Sequence, residues 1–197
     1  MNAYPRRAAA LCVLSLLALA AGCATQPAPA PETPPATSAP AAPAAPAAPG
    51  WTPALAAVFE AAQRAAQGSG VAVSRTGEQE LLLRATGDAA FDSGRTGINA
   101  RFRKFLDTLA EPLARAPGLQ VRVVGHTDNV GSNAVNDRIS LERANSARDY
   151  LVTHGVTADR ISAEGRGERE PVAGNESAEG RAANRRVELI ISPAATR

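Results

Sequence analysis

A low-complexity stretch of proline and alanine, residues 25–50, limits where this 197-residue chain can build a core. Nine of the 15 prolines lie between Pro27 and Pro49. Because proline fixes φ and lacks a backbone donor, this stretch cannot form packed structure. We predict a disordered, semi-rigid linker, which at roughly 3.1 Å per residue spans about 80 Å. A globular domain is expected over residues 71–192, with a short tail at 193–197.

Residues 1–22 have the features of an export signal. Arg6 and Arg7 precede an apolar run over residues 8–22, which is shorter than the roughly 20 residues that a membrane-spanning helix needs. The run ends at Cys23, and the chain's other cysteine, Cys12, lies inside the signal. An exported protein with no later cysteine has no disulfide to form, so Cys23 needs another role.

The segment Leu19-Ala20-Ala21-Gly22-Cys23 resembles a bacterial lipobox. This resemblance implies cleavage before Cys23 and acylation of its thiol, so residues 1–22 are a lipoprotein signal peptide and residues 23–50 a lipidated linker. Alanine rather than aspartate follows the cysteine, which by the same resemblance implies the outer membrane. The alternative is an ordinary signal peptide with a chance cysteine.

Charge and composition argue against a nucleic-acid partner and against an enzyme. The net charge of +2 comes from Arg6 and Arg7, so the rest of the chain is neutral, and aromatic residues make up 4%. Such a chain has no basic surface for phosphates and few rings for base stacking. No Gly-x-Ser-x-Gly or His-Glu-x-x-His motif occurs, and we interpret His126 and His154 as structural residues. We therefore expect no catalysis, no cofactor and no metal.

Hydrophobic periodicity predicts helices that alternate with strands. A short amphipathic helix is expected over residues 51–70, capped by Thr52, and it either packs on the domain or binds a partner. Strands are expected at 71–74, 80–84, 119–126, 160–164 and 186–192, with 89–91 as a candidate extension of the sheet. Helices are expected at 98–113, 133–154 and 176–183. The alternation is typical of an α/β sandwich with helices on one face of a mixed sheet.

The predicted helix over residues 133–154 carries an arginine among apolar side chains. At 100° per residue, Arg143 falls on the same side as Ile139 and Leu151. A buried guanidinium is costly unless it is paired, and the candidate carboxylate is Asp128, just after a predicted strand. Two readings stay open on spacing alone. Asp128 and Arg143 form an internal salt bridge, or together they bind the ammonium and carboxylate of an amino-acid zwitterion.

Many residues form a spaced pattern, which begins with Phe91-Asp92-Ser93 and is densest after position 124. They include Gly125-His126-Thr127-Asp128, Asn136, Ile139-Ser140, Arg143-Ala144, Gly165-Arg166-Gly167-Glu168 and Asn184-Arg185-Arg186-Val187. Over about residues 82–192 this pattern resembles the OmpA-like C-terminal domain family, which includes peptidoglycan-associated lipoproteins. The resemblance implies two to three helices on one face of a mixed four-stranded sheet.

The same resemblance implies non-covalent binding of peptidoglycan through the diaminopimelate of its stem peptides. Asp128 would take the ammonium and Arg143 the carboxylate. Four further residues are implied near the ligand: Asn136 and Thr127 as hydrogen-bonding groups, and Asn184 and Arg185 as the frame of the pocket. With lipid on Cys23, the expected protein tethers the outer membrane to the cell wall, its domain facing the periplasm. The alternative is an envelope adaptor whose domain mainly binds a protein partner.

Overall fold

A computed structural model describes residues 51–92 and 94–194 of the chain. The predicted signal peptide, Cys23 and the predicted linker lie outside the described residues, as do residues 195–197 of the predicted tail. Within the described ranges, none of the helices combines the length and the apolar character of a membrane span.

The described residues form a mixed sheet of five strands with helices on one face. In chain order the elements are α1 Pro53–Ala66, β1 Val71–Arg75, β2 Leu81–Thr86, α2 Gly87–Ala90, α3 Ala100–Ala114, β3 Leu119–Gly125, α4 Asn133–Thr153, a 3-10 turn Ala158–Arg160, β4 Ile161–Gly165, α5 Ala178–Asn184 and β5 Arg186–Pro193. The strand order is β1-β2-β5-β3-β4, in which β3 and β4 are parallel and the other pairs antiparallel. The α/β prediction is confirmed, but four strands was wrong, because β1 pairs with β2 and extends the sheet by one strand.

The core lies between the sheet and the helices. Along β3, Leu119, Val121 and Val123 are buried in it, whereas Gln120 and Arg122 point away and are exposed. Helix α3 contributes its predicted apolar stripe, which includes Phe102, Phe105, Leu106, Leu109 and Leu113. The alternation of buried and exposed residues along β3 places the helical layer on one side of the sheet.

Helix α1 is part of this core. The Thr52 hydroxyl accepts a hydrogen bond from the Leu55 N–H at 3.2 Å, and Pro53 occupies the first helical position, as predicted. Leu55 and Val58 are fully buried. The Arg75 guanidinium on β1 lies 4.0 Å from the centre of the Trp51 ring, which ties the start of α1 to the edge strand. Of the two expectations for this helix, packing on the domain is the one observed.

Residues 89–91 do not extend the sheet. Ala89 and Ala90 lie in the short helix α2, and Phe91 makes an isolated antiparallel bridge with Ile98. The chain leaves the sheet at Gly87, whose N–H donates to the Arg185 carbonyl at 2.5 Å. A Cβ at Gly87 would lie 3.0 Å from that carbonyl oxygen, so the close approach favours glycine here.

Two glycines set the position of α4 on the sheet. Gly125 and Gly165 are register partners at the ends of the parallel strands β3 and β4. A Cβ on Gly125 would lie 2.0 Å from the Ser140 carbonyl oxygen, and one on Gly165 would lie 2.6 Å from the Leu141 nitrogen. The missing side chains let the backbone of α4 rest directly on the strand ends. The buried face of α4 therefore lies beside the loop that follows β3.

Candidate functional site

Asp128 lies in the loop that follows β3 and is 8% exposed. Its Oδ1 accepts a hydrogen bond from the Val130 N–H at 3.1 Å, and its Oδ2 accepts one from Arg185 Nη1 at 2.7 Å. The antiparallel register pairs Gly125 with Val187, so the end of β3 meets the start of β5 and brings these two residues together. An ionised carboxylate offers about four acceptor positions, so these two bonds leave part of its capacity for another donor.

Arg143 lies on the buried face of α4, as the helical spacing predicts, and is also 8% exposed. Its Nε and Nη2 both lie 3.4 Å from the main-chain oxygen of Arg95, and its guanidinium carbon is 5.1 Å from the centre of the Phe91 ring. No carboxylate of residues 51–92 or 94–194 lies within 4.0 Å of this guanidinium. The internal Asp128–Arg143 salt bridge is therefore not formed in the described structure.

The electrostatics of the site favour an anion at Arg143. Burial is the main cause that lowers the pKa of Arg143, and the positive charge of Arg185 lowers it further. The carboxylates of Asp128 and Asp88 act in the opposite direction. Because arginine stays protonated in proteins, the result is a buried cation beside a second one. A ligand carboxylate would relieve this arrangement, since the guanidinium can bind both of its oxygens.

Asn136 holds the loop of Asp128 in place. Its Nδ2 donates to the Asp128 main-chain oxygen at 3.2 Å and to Glu168 Oε2 at 2.7 Å. The side chain is buried, and both amide hydrogens are used by these bonds. The structure therefore brings Asn136 to the site, where its two amide hydrogens support the loop of Asp128.

Thr127 and His126 precede Asp128 and are buried. The Thr127 N–H donates to the Gly167 oxygen at 2.9 Å, but its hydroxyl makes no hydrogen bond to any described residue. The two ring nitrogens of His126 also lack a hydrogen bond to the described part of the chain. Burial, reinforced by the charge of Arg186, lowers the pKa of His126 to about 4, so the ring is neutral at pH 7.

The two residues implied as the frame of the pocket separate into different roles. Asn184 is fully buried and uses its whole amide on the loop before α5. Its Oδ1 accepts from the Val172 and Ala173 N–H groups at 2.8 and 3.0 Å, and its Nδ2 donates to the Ala173 oxygen at 2.8 Å and to Asn175 Oδ1 at 2.9 Å. Arg185 is the one of the pair that reaches the site's carboxylate.

The family resemblance implies that residues 91–97 lie at an edge of the site, but sequence reasoning did not identify Phe91 and Arg95 as the partners of Arg143. The Phe91 ring and the Arg95 carbonyl come from the segment before α3, about 50 positions away in the chain. No local pattern links that segment to α4. Among the described residues, no group of three His, Cys, Asp or Glu side chains could hold a metal ion.

Comparisons with known proteins agree with this fold. Residues 90–185 match the OmpA family. The probable lipoprotein YiaD of Escherichia coli is 39% identical over 127 residues, which is 64% of this chain and 58% of that protein. The peptidoglycan-binding protein ArfA of Mycobacterium tuberculosis is 38% identical over 106 residues, 54% of this chain and 32% of ArfA. This chain thus spans less than two thirds of either relative.

A solved structure covers more of the domain. The cell wall anchor of the T6SS from Pseudomonas aeruginosa superposes with a TM-score of 0.62 and 33% identity, covering 70% of this chain and 97% of that one. These relatives are named for a lipoprotein, for peptidoglycan binding and for cell wall anchoring, and none is named for an enzyme. From its fold, its motifs and these matches, the chain belongs to the OmpA family.

Proposed function

We propose that this chain binds peptidoglycan non-covalently through the diaminopimelate of the stem peptides. We further propose that lipid on Cys23 anchors it in the outer membrane, so that it tethers that membrane to the cell wall. Residues 71–192 are the binding domain in this proposal, and residues 23–50 are the tether.

The single observation that carries the binding proposal is the environment of Arg143. Its guanidinium is buried, yet among residues 51–92 and 94–194 its hydrogen-bond acceptor is one main-chain oxygen at 3.4 Å, a long distance for such a bond. A buried cation is costly unless an anion compensates it. The side chain of diaminopimelate in a stem peptide ends in a carbon that bears both a carboxylate and an ammonium. Its carboxylate would supply the missing partner.

The ammonium of the same ligand group would bind at Asp128. Arg185 and the Val130 N–H hold the carboxylate in one orientation and leave acceptor capacity unused. The Thr127 hydroxyl, buried and without a described partner, would add a hydrogen bond. Asn136 and Asn184 would act as supports behind the site, because their amide donors are already engaged.

The names of the relatives support the same assignment. YiaD is described as a probable lipoprotein, ArfA as a peptidoglycan-binding protein, and the structural match as a cell wall anchor. The lipobox-like segment before Cys23 and the proline-rich residues 25–50 would link such a domain to a membrane. Several acyl chains would make this anchoring effectively permanent.

The binding proposal is tested with peptidoglycan sacculi and the full chain carrying Cys23→Ser. Arg143→Ala should lower the affinity for sacculi, measured by co-sedimentation, by about 10- to 100-fold, the loss expected for a charge-assisted bidentate contact. Arg138→Ala is the matched control, because Arg138 lies on the same helix but is exposed and pairs with Glu142. Calorimetry with free meso-diaminopimelate should show saturable binding that Arg143→Ala removes.

Sacculi with lysine in place of diaminopimelate test the role of the carboxylate. The lysine side chain keeps the ammonium but lacks the carboxylate, so the wild-type chain should bind these sacculi much more weakly. Equal binding to both wall types, or equal binding by Arg143→Ala and Arg138→Ala, would contradict the assignment. If wild type binds neither sacculi nor diaminopimelate, the adaptor function becomes the better explanation.

The anchor is tested by cell fractionation. Cys23→Ser should move the exported chain from the outer-membrane fraction to the soluble periplasmic fraction while its affinity for sacculi is unchanged. Retention of Cys23→Ser in a membrane fraction from which peptidoglycan has been digested would refute the lipid anchor.

A further inference from the structure

We propose that Glu168 is a positioning residue for Asp128 and acts through the side-chain amide of Asn136. This inference rests on the proposed function, because it assigns Glu168 a part in setting the affinity for the peptidoglycan stem. Glu168 itself would not touch the ligand.

The loop that follows β4 runs beside the loop that follows β3. The Arg166 N–H donates to the Gly125 oxygen at 2.9 Å, and the Thr127 N–H donates to the Gly167 oxygen at 2.9 Å. The Gly167 N–H donates in turn to the Ser140 hydroxyl on α4 at 3.0 Å. These bonds make residues 165–168 a fixed backing for the ligand-binding loop.

Glu168 extends this backing to Asp128. Its carboxylate accepts one hydrogen of the Asn136 amide at 2.7 Å, and the other hydrogen reaches the Asp128 main-chain oxygen at 3.2 Å. The torsion that turns an asparagine amide has broad minima, so one bond alone does not fix its direction. A charged acceptor makes the stronger bond, and it turns the second N–H toward Asp128.

The neighbouring charges leave Glu168 free for this role. Arg166 pairs with Glu164 at 2.7 Å and with Glu170 at 3.6 Å, and Arg169 pairs with Asp137 at 2.5 Å. Among the described residues, the Glu168 carboxylate therefore has the Asn136 amide as its hydrogen-bond partner. The half-buried Glu168 carboxylate is held by Asn136, which supports the Asp128 loop, and not by a surface ion pair.

The test measures affinity for diaminopimelate-type sacculi in the full chain carrying Cys23→Ser. Glu168→Ala should weaken binding by about tenfold, the scale of one charge-assisted hydrogen bond. Glu168→Gln should keep the affinity within about threefold of wild type, because the glutamine amide oxygen accepts the same Asn136 hydrogen. The control is Glu170→Ala, an exposed glutamate on the same loop, which should bind as wild type does.

A double-mutant cycle tests the route through Asn136. Glu168→Ala should add little to the loss caused by Asn136→Ala, since both changes break the same link. Additive losses would overturn the proposal, as would Glu168→Gln binding as weakly as Glu168→Ala, or Glu168→Ala binding like wild type.

Hydrogen exchange gives a readout that needs no ligand. The Val130 amide donates to Asp128 Oδ1, so its protection reports the order of the loop. Glu168→Ala should lower that protection and Glu170→Ala should not. If these exchange results hold while wild type fails to bind sacculi, the proposed function fails and the positioning role stands. If the wild-type chain binds sacculi but Glu168→Ala leaves the protection of the Val130 amide unchanged, the positioning role is overturned and the proposed function stands.

Discussion

Replacing Gly125 with alanine should displace α4 from the sheet. The new Cβ would lie 2.0 Å from the Ser140 carbonyl oxygen and 2.8 Å from the carbonyl carbon, and Cβ atoms essentially never come within 3.0 Å of a heavy atom outside their own and adjacent residues. The obstacle is helix backbone, which cannot rotate away as a side chain would. Helix α4 must therefore retreat by about 1 Å, which loosens its buried residues against the sheet.

The expected cost lies at the upper end of that for overpacked cores, about 3 kcal/mol, because the clash involves backbone. For a domain of this size that corresponds to a fall in Tm of roughly 10 °C. Arg143 moves with the helix, so affinity for sacculi should fall by about tenfold or more, as reacting or binding groups displaced by 1 Å commonly show. Urea unfolding followed by circular dichroism measures the first effect, and co-sedimentation measures the second.

Gly118→Ala is the matched control for this change. A Cβ at Gly118 would meet no atom within 4 Å, and its backbone φ lies outside the left-handed region. It should change stability by less than about 1 kcal/mol. If Gly125→Ala unfolds at the same urea concentration as Gly118→Ala, the close approach does not set the helix position. If it is destabilised but binds sacculi like wild type, the position of α4 does not control the site.

Three further variants test other parts of the molecule. As pH falls from 6.5 toward 4, His126 takes up a proton in the unfolded chain but stays neutral in the folded one, because its pKa is lowered to about 4 by burial. The free energy of unfolding should therefore drop by about 3 kcal/mol over this range. Urea unfolding measured against pH should show that His126→Gln removes this part of the drop. Arg160 donates hydrogen bonds to three main-chain oxygens at the end of the sheet opposite Asp128. Arg160→Met should therefore lower the free energy of unfolding by about 3 kcal/mol and leave the affinity for sacculi unchanged. Lost affinity with intact stability would contradict this prediction. Arg75→Ala should shift the emission of Trp51, the single tryptophan, to longer wavelength and cost about 1 kcal/mol, and an unchanged spectrum would show that the stacked guanidinium does not hold that ring.

The local sequence pattern was sufficient to predict most of the helices and strands and the position of Arg143 in the site. Helical and strand periodicities depend on residues a few positions apart, so α1, α3, α4 and the five strand segments follow from the sequence directly. The same periodicity predicts that Arg143 lies on the buried face of α4, as the structure confirms. The count of four strands followed the family resemblance and was wrong, because the structure pairs all five of the segments that periodicity predicts, including the edge strand β1.

Tertiary structure alone decided which charges meet. The sequence left open whether Asp128 pairs with Arg143, and the structure pairs it with Arg185, 57 positions away, because β5 lies against β3 and its start meets the end of that strand. The neighbours of Arg143 come from the segment before α3, and their contact depends on how closely α4 approaches the strand ends. Periodicity shows which side of a helix is buried, but the order of the strands determines which loops lie together at the site.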